Sequence, residues 1–170
     1  MNWYLQSGKE SDVVVSSRIR LARNIIEYPF ETRCSKKENE EIVNKIKNEV
    51  LPSIGYGLKI LKLKDMDDIT KMSLVEKRLI SPDFVMNKND IGAIAINEEE
   101  NICIMINEED HLRLQVFAPG FEIEELLKLM VEIDTKFGKA LNYAYNDKYG
   151  YLTACPTNVG TGMRVSVMVH

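Results

Sequence analysis

Apolar residues recur three and four positions apart in three parts of the chain, and this spacing predicts amphipathic helices. The segments are 35–50, 67–79 and 123–137. The first begins with Ser35 and Glu38, whose spacing is that of a capping box, and it is expected to end near Pro52 because proline interrupts a helix. The last is expected to follow a break in the chain at 117–120 and to end near Gly138.

Short β-branched runs and alternation of apolar with polar residues predict strands elsewhere. The segments are 12–20, 58–63, 91–96, 102–106, 143–153 and 163–169. The acidic loop 97–101 joins the third and fourth of them, which predicts a hairpin, and the last two are expected to form a second pair. In the last strand, alternation places Arg164 and Ser166 on the face opposite to Val165 and Val167. Since no repeat, linker or low-complexity segment interrupts these elements, they predict one α+β unit with a largely antiparallel β-sheet flanked by helices.

The composition is that of an ordinary globular domain, with 170 residues of which 45% are apolar and 28% are charged. A net charge of -4 disfavours a nucleic-acid partner, so any cationic site must be local. The three cysteines, Cys34, Cys103 and Cys155, are far apart and outside any CxxC motif, which predicts reduced thiols, no structural metal site and a cytoplasmic protein. No signal peptide or membrane-spanning run is apparent, so no membrane partner is expected.

The segment Ser16–Arg23, SSRIRLAR, carries two arginines two positions apart. An extended backbone would place Arg18 and Arg20 on one face and Ser17 and Ile19 on the other. Two guanidinium groups that point the same way can bind phosphate oxygens in a bidentate manner. The alternative is the solvated face of an edge strand, where charged side chains prevent aggregation.

The segment 107–113, NEEDHLR, follows an apolar strand and is rich in charge. If it is extended, Glu109, His111 and Arg113 lie on one side. A carboxylate beside a guanidinium suits a reaction in which a cationic substrate meets a phosphate, because the carboxylate orients the cation and the arginine binds the anion. An acidic turn closed by ion pairs is the alternative, and a metal site is disfavoured because no second histidine lies nearby.

The segment 155–162, CPTNVGTG, predicts a tight turn with a cysteine at its start. A buried structural thiol is one interpretation of Cys155. The other is a thiolate, held by cations such as Arg164, that attracts a guanidinium. Taken together, the arginine-bearing strands, the carboxylates and this cysteine indicate phosphoryl transfer to a cationic acceptor. Neither a Walker A loop nor the glycine loop of protein kinases is present, so arginines would have to bind the phosphates.

These three blocks occur in the same order in the ATP:guanido phosphotransferases, the family that contains creatine and arginine kinases, and the chain resembles that family from about Asp12 onward. The phrases LVEKRLISP and GYLTACPTNVGTGMR resemble most closely the bacterial members that phosphorylate arginine side chains in proteins. The resemblance implies the α+β fold of the guanido kinase and glutamine synthetase-like catalytic domain. It divides the chain into a short N-terminal extension, 1–11, and an N-terminal portion of that domain, 12–170.

The resemblance also implies roles for individual residues. Glu109 would orient the acceptor guanidinium and accept its proton, and Cys155 would contact that guanidinium as a thiolate. ATP, accompanied by Mg²⁺, would be bound by Ser16, Ser17, Arg18, Ile19, Arg20, Arg113, Arg164, Val165, Ser166, Val167 and Met168. Arg78 occupies the position at which relatives place a histidine near the nucleotide, and it is expected to stack on the nucleotide or bind phosphate.

Relatives continue past the position of His170 with further strands, another phosphate-binding arginine and a second catalytic acid. The chain is therefore expected to be the N-terminal half of such a kinase, with little or no activity alone. The implied partners are proteins with arginine side chains, a zinc-binding activator protein and the Clp protease machinery; a homodimer is compatible with the sequence. The alternatives are a non-catalytic fragment that binds nucleotide or phosphoarginine, and one half of a split kinase. A nucleic-acid-binding domain is a third hypothesis, and the acidic charge balance disfavours it.

Overall fold

A six-stranded antiparallel sheet forms the centre of the molecule. The computed structural model describes residues 2–88 and 90–170. The sheet consists of β1 (Val14–Arg23), β2 (Lys59–Lys62), β3 (Ala93–Ile96), β4 (Ile102–Ile106), β5 (Leu112–Pro119) and β8 (Met163–Val169). Its strand order is β2-β3-β4-β5-β1-β8, so β1 lies between β5 and the edge strand β8. Two short strands, β6 (Tyr145–Asn146) and β7 (Gly150–Tyr151), form a separate ribbon.

Helices pack on both faces of this sheet. Their bounds are α1 (Lys36–Lys45), α2 (Leu51–Ile54), α3 (Asp68–Glu76), α4 (Pro82–Asn87) and α5 (Ile123–Ala140). Single 3₁₀ turns lie at Trp3–Leu5, Glu31–Arg33, Leu63–Asp65 and Pro156–Asn158, and a π-helical segment at Ile46–Val50 continues α1. No helix within the described ranges is both long enough and apolar enough to cross a membrane.

The larger hydrophobic core lies between one face of the sheet and the helices α1 and α5. It buries Ile19 and Leu21 of β1 against Met130 and Phe137 of α5. A smaller core on the opposite face is built around Phe84 of α4 and packs on β3, β4 and part of β5. Because it ends at Phe117 of β5, the same face of β1 and β8 carries no helix and is available for a site.

Several predicted elements are present at the predicted positions. Ser35 and Glu38 form the complete capping box, with the Ser35 hydroxyl accepting from the Glu38 N–H and the Glu38 carboxylate accepting from the Ser35 N–H. The hairpin around 97–101 pairs β3 with β4. The last predicted helix is α5, which ends at Ala140 and passes through Gly138.

Three expectations differ from the structure: one helix end, one chain break and one strand pairing. The first helix continues through the π-helical segment to Ile54, two residues past the expected end near Pro52. The hydrogen bonding changes there, with the Leu51 N–H donating to the Ile46 carbonyl, and the helix passes through a proline that has no N–H to donate. The expected break at 117–120 begins only after β5 ends at Pro119. The segments 143–153 and 163–169 do not pair with each other: the first folds on itself as the β6–β7 ribbon, and β8 pairs with β1.

Candidate active site

Four arginines converge on the uncovered face of β5, β1 and β8. Arg18 and Arg20 alternate with the buried Ile19 along β1. In the register of the sheet, Arg20 lies opposite Arg164 of β8. Ala22, two residues further along β1 and on the same face as Arg20, lies opposite Arg113 of β5. Neighbouring strands are about 4.8 Å apart, and like charges that face each other across strands are destabilising. We call Arg18, Arg20, Arg113 and Arg164 the arginine cluster.

The arginines perturb one another electrostatically. Burial is the main cause that lowers the pKa of Arg20 to about 10, and the charges of Arg18, Arg113 and Arg164 lower it further. Burial likewise lowers the pKa of Arg18, with smaller contributions from Arg78, Arg113 and Arg164. Arginine normally stays charged at any physiological pH. The nearby charge of Glu108 opposes this effect at Arg20 but does not outweigh it. The cluster therefore concentrates positive charge that the neighbouring carboxylates balance only in part, which is the property of an anion site.

Hydrogen bonding distinguishes Arg113 from Arg20. Arg113 Nη1 lies 2.7 Å from Glu108 Oε2, and its Nη2 lies 3.1 Å from Glu109 Oε2. Arg20 Nε, by contrast, is buried and has no hydrogen-bond acceptor among the described residues. A buried N–H without an acceptor costs about 1–3 kcal/mol, so this group favours an anionic ligand. A cavity of about 30 Å³ lies between Arg20, Arg113, Arg164 and the Asn158 turn residue.

Two further cavities extend from the cluster along β1. The smaller, of about 170 Å³, is lined by Arg18 and by Ser166, Val167 and Met168 of β8. Arg18 Nε donates to Ser166 Oγ at 3.3 Å. The larger, of about 380 Å³, shares Ser16 and Met168 with the smaller one and continues beyond the end of the cluster.

Arg78 lies at the wall of both cavities. It lies two residues after the end of α3 and adopts a left-handed backbone conformation with φ of +61°. Such a conformation is strained for a residue with a side chain, and strain of this kind concentrates at ligand sites. Its charge also contributes to the lowered pKa of Arg18, so Arg78 belongs to the same electrostatic environment as the arginine cluster.

The segment 107–113 does not have the geometry expected of an extended chain. Asn107 has a left-handed backbone with φ of +61°, and the loop after it turns His111 into the interior. There His111 Nδ1 accepts a hydrogen bond from the Ile25 N–H at 3.0 Å, and Nε2 lies 2.8 Å from the Pro29 carbonyl oxygen. The expectation that His111 lies beside Glu109 and Arg113 was therefore wrong. Alternation along an extended chain would place Glu108 on the side opposite to Arg113, but Glu108 is the more buried of the two carboxylate partners of Arg113.

The turn 155–162 is fastened to the end of β1. The Ala22 N–H donates to the Gly162 carbonyl at 2.9 Å, and Arg23 Nη1 donates to the Thr161 carbonyl at 2.9 Å. Gly162 has φ of +65°, and a Cβ at this position would lie 2.6 Å from the Ala22 carbonyl oxygen. Arg23 itself is held by a bidentate contact with Asp134 of α5. The glycine is thus required both by the backbone conformation and by the close approach of β1.

Cys155 begins this turn and is half-buried. Its Sγ lies 3.0 Å from Thr157 Oγ1, so a hydroxyl rather than an arginine is its hydrogen-bonding neighbour. The preceding residue, Ala154, donates its N–H to Asp110 Oδ1 at 2.7 Å. Because Asp110 follows Glu109 in the chain, this one bond holds the two segments that carry Glu109 and Cys155 next to each other.

The structure separates the remaining residues that the resemblance assigned to ATP. Ser16 and Met168 line the cavities, as described above. Ser17 lies on the other face, where its hydroxyl donates to the Gly120 carbonyl, and Ile19 is in the main core. Val165 alternates with Arg164 and Ser166 and so lies on that other face as well.

Sequence reasoning did not assign a role to three residues near the site: Trp3, Glu108 and Asp110. Glu108 and Asp110 lie within the charged segment that was singled out, but spacing alone could not reveal their partners. Trp3 is the single tryptophan of the chain and lies in an otherwise short polar extension, which was the available signal. Among the described residues, no group of three or more histidine, cysteine, aspartate or glutamate side chains could hold a metal ion.

A family model and curated relatives both match this chain, and they point to the same family. A family model described as "ATP:guanido phosphotransferase, C-terminal catalytic domain" matches residues 39–170. The protein-arginine kinase of Geobacillus sp. (strain WCH70) is 46% identical over 99% of this chain and 47% of its own length. That of Bacillus subtilis (strain 168) is 42% identical with the same coverage. The chain thus spans about half the length of the curated relatives that it matches.

Solved structures agree with this result. The duplicated taurocyamine kinase from Schistosoma mansoni, with bound transition state analog components, superposes with a TM-score of 0.84 at 27% identity over 99% of this chain and 26% of that one. Lombricine kinase superposes with a TM-score of 0.76 at 26% identity, covering 94% of this chain and 48% of the other. The family model matches well over half of the residues of this chain, and relatives align along nearly its full length. The chain therefore belongs to the ATP:guanido phosphotransferase family.

Proposed function

We propose that this chain forms the ATP-phosphate-binding and acceptor-orienting part of a protein arginine kinase, which transfers the γ-phosphoryl group of ATP to arginine side chains of proteins. The observation that carries the proposal is the environment of Arg20. Its guanidinium lies among three other arginines, its pKa is lowered to about 10, first by burial, and its Nε is buried without an acceptor. The similarity to protein-arginine kinases supports the choice of acceptor.

In this proposal the arginine cluster holds the phosphates of ATP. Arg20 and Arg164 face the small cavity from neighbouring strands, and Arg18 extends the cationic surface towards the larger cavities. Mg²⁺ enters as part of the MgATP substrate, coordinated through phosphate oxygens, which is usual for this ion. In phosphoryl transfer, positioning and stabilisation of charge on the transferring group supply most of the catalysis, and arginines provide both.

Glu109 is the residue proposed to orient the acceptor. Its side chain is 43% exposed at the edge of the cluster, whereas the side chain of Glu108 is nearly buried. Glu108 makes its own contact with Arg113, with 2.7 Å between Glu108 Oε2 and Arg113 Nη1. Glu109 can therefore exchange its contact with Arg113 for the incoming guanidinium without leaving Arg113 unpaired. A guanidinium has a pKa above about 12 and is a weak nucleophile until a base removes a proton.

The proposed transfer forms one bond, breaks one bond and moves one proton. An acceptor guanidinium nitrogen attacks the γ-phosphorus and forms the P–N bond, and the bond between the γ-phosphorus and the bridging oxygen of ADP breaks. The proton of the attacking nitrogen passes to Glu109. Cys155, held beside the Glu109 loop by the bond from Ala154 to Asp110, is proposed to contact the same acceptor guanidinium.

Residues 1–11 form an N-terminal extension and 12–170 a portion of the catalytic domain, in a cytoplasmic protein. Its partners are protein substrates with arginine side chains, together with a zinc-binding activator protein and the Clp protease machinery. A second candidate function is binding of ATP or phosphoarginine without turnover, alone or as one half of a split kinase. The buried Arg20 Nε without an acceptor supports ligand binding in this candidate as well.

Binding measurements on Arg20→Ala test the phosphate site. Hydrogen bonds to charged groups contribute about 1.5–3 kcal/mol, so MgATP affinity by titration calorimetry should fall about 10-fold or more. Removal of one mutually repelling charge should leave the free energy of unfolding unchanged or slightly increased. Arg33→Ala, at an exposed position outside the cluster, is the matched control. Unchanged MgATP affinity in Arg20→Ala would contradict the proposed site.

Incubation with MgATP and an arginine-rich protein separates the two candidate functions. Acid-labile phosphoarginine on the acceptor, lost in Glu109→Gln, supports the kinase. MgATP binding that depends on Arg20 without any phosphoarginine supports the second candidate, in which this chain binds the nucleotide without turnover, alone or as one half of a split kinase. Absence of both rejects the site altogether.

A further inference from the structure

The N-terminal extension contributes an aromatic wall to the largest cavity near the arginine cluster. Its 3₁₀ turn, Trp3–Leu5, packs on β5, where the Trp3 ring stacks on Phe117 with centroids 5.4 Å apart and an interplanar angle of 16°. The Tyr4 ring meets Trp3 edge-on at 5.8 Å. Stacking on the sheet holds the indole in a defined orientation at the mouth of the cavity.

Trp3 also carries a donor without an acceptor. Its Nε1–H is buried and has no hydrogen-bond partner among the described residues. The indole N–H of a buried tryptophan usually finds a partner, and an unsatisfied one costs about 1–3 kcal/mol. A ligand with an acceptor atom in the plane of an aromatic ring would satisfy it.

The cavity beside Trp3 has the size and chemistry of a subsite for a planar ring. Its volume is about 380 Å³, within the range of ligand pockets. Its apolar lining includes Trp3, Tyr4, Val15, Pro119 and Met168. Lys77 and Arg78 supply cationic groups at the same wall, and Lys77 already has a carboxylate partner in Glu100.

This cavity is continuous with the arginine cluster. Trp3, Ser16, Arg78 and Met168 line both the larger and the smaller cavity, and the smaller one reaches Arg18. From Ser16 to Arg20 is four residues of β1, or about 13 Å at about 3.3 Å per residue. That separation is comparable to the length of an extended nucleoside triphosphate. A ligand with phosphates at Arg20 would therefore place its base beside Trp3.

We propose that Trp3, seated on Phe117 by the N-terminal extension, forms the wall of a base subsite for a purine nucleotide, with its indole N–H available to a ring nitrogen of the base. The inference rests on the proposed function, because the phosphates must lie on the arginine cluster. It extends that function by assigning the recognition of the base to a segment that precedes the sheet.

Fluorescence of the single tryptophan tests the inference directly in the unmodified 170-residue chain. MgATP should shift or quench Trp3 emission, whereas inorganic triphosphate, which has no base, should bind the cluster with little change in emission. Equal changes with the two ligands would overturn the inference. Binding of neither ligand, measured by calorimetry, would overturn both the inference and the proposed phosphate site.

Variants at Trp3 separate base recognition from phosphate binding. Trp3→Ala should weaken MgATP binding about 10-fold, equivalent to about 1.4 kcal/mol and within the range of base–aromatic stacking, and should leave triphosphate affinity within about twofold. Leu5→Ala, at an exposed position of the same 3₁₀ turn, is the matched control. Unchanged MgATP affinity in Trp3→Ala, with triphosphate still bound, would overturn the inference and leave the proposed function standing.

Trp3→Phe provides a second variant if removal of the ring unfolds the extension. It keeps the stack on Phe117 and removes the indole N–H, so MgATP affinity should fall by less than in Trp3→Ala while triphosphate affinity stays the same. Circular dichroism verifies folding of each variant. Full MgATP affinity in Trp3→Phe combined with a base-independent emission change in the original chain would reject a role of Trp3 in recognition.

Discussion

Asp110→Ala should destabilise the protein more than the loss of a short side chain suggests. The reason is that one carboxylate oxygen of Asp110 accepts hydrogen bonds from two other segments of the chain. Asp110 is 1% exposed. Its Oδ1 accepts from the Ala154 N–H at 2.7 Å and from Asn24 Nδ2 at 2.6 Å. Asn24 Nδ2 also donates to the Leu152 carbonyl at 3.1 Å, so it keeps a partner when Asp110 is removed.

The expected magnitude follows from these contacts. A hydrogen bond to a charged group contributes about 1.5–3 kcal/mol. The bond from Ala154 is lost in full and the bond from Asn24 in part, so Asp110→Ala should lower the free energy of unfolding by about 2–4 kcal/mol. A domain of ordinary stability has about 5–15 kcal/mol in total, so the variant should remain folded and measurable.

Asp110→Asn is the matched control. It retains an acceptor oxygen at the position of Oδ1 and replaces Oδ2, which is buried and without a partner among the described residues. The loss should therefore be about 1 kcal/mol or less. Urea unfolding followed by far-UV circular dichroism measures both variants, and with a slope of about 2 kcal/mol/M the midpoint of Asp110→Ala should fall by about 1–2 M. Equal midpoints for the alanine and asparagine variants would refute the assignment of the loss to the Oδ1 contacts.

Two further predictions concern the turn and the buried histidine. Gly162→Ala should lower the free energy of unfolding by about 2–4 kcal/mol in urea, because its Cβ would meet the Ala22 carbonyl oxygen at 2.6 Å; Gly57→Ala, at a similar φ of +62° with open space around it, should lose only about 1 kcal/mol, and equal losses would contradict the steric argument. Burial lowers the pKa of His111, so its contribution to stability is complete above its unfolded pKa of about 6.5 and is lost as pH falls towards its folded pKa. The urea midpoint should therefore be lower at pH 5.5 than at pH 7.5, and His111→Gln should reduce that difference; a wild-type midpoint that is the same at both pH values would count against it.

Local sequence patterns were sufficient where the interactions are local. The capping box of Ser35 and Glu38 involves groups three residues apart, and the 97–101 hairpin joins adjacent strands. Alternation along β1 also identified the face that carries Arg18 and Arg20, because side chains of an extended strand point alternately to opposite faces. Pro52 shows the limit of such reasoning: the helix passes through it to Ile54 by way of a π-helical segment, and spacing along the sequence does not reveal this change in hydrogen bonding.

The composition of the site depended on contacts between distant segments. Nothing in the spacing of residues required β8 to pair with β1, and only this pairing places Arg164 opposite Arg20. His111 was expected at the site on the assumption of an extended chain, but burial of its ring against Ile25 and Pro29 turned it away.

The sequence by itself determined the residue types of this protein's chemistry, most of its helices and strands, and the faces of β1 and β8 on which their arginines lie, because these depend on periodicity and on covalent neighbours. It did not indicate the central strand β5 or the short helix α4. The tertiary structure alone decided which strands are adjacent, which of Glu108 and Glu109 is buried against Arg113, and that Trp3 closes the cavity at the end of β1. These features depend on hydrogen bonds and packing between residues far apart in the chain, whose energies become available only once the sheet has formed.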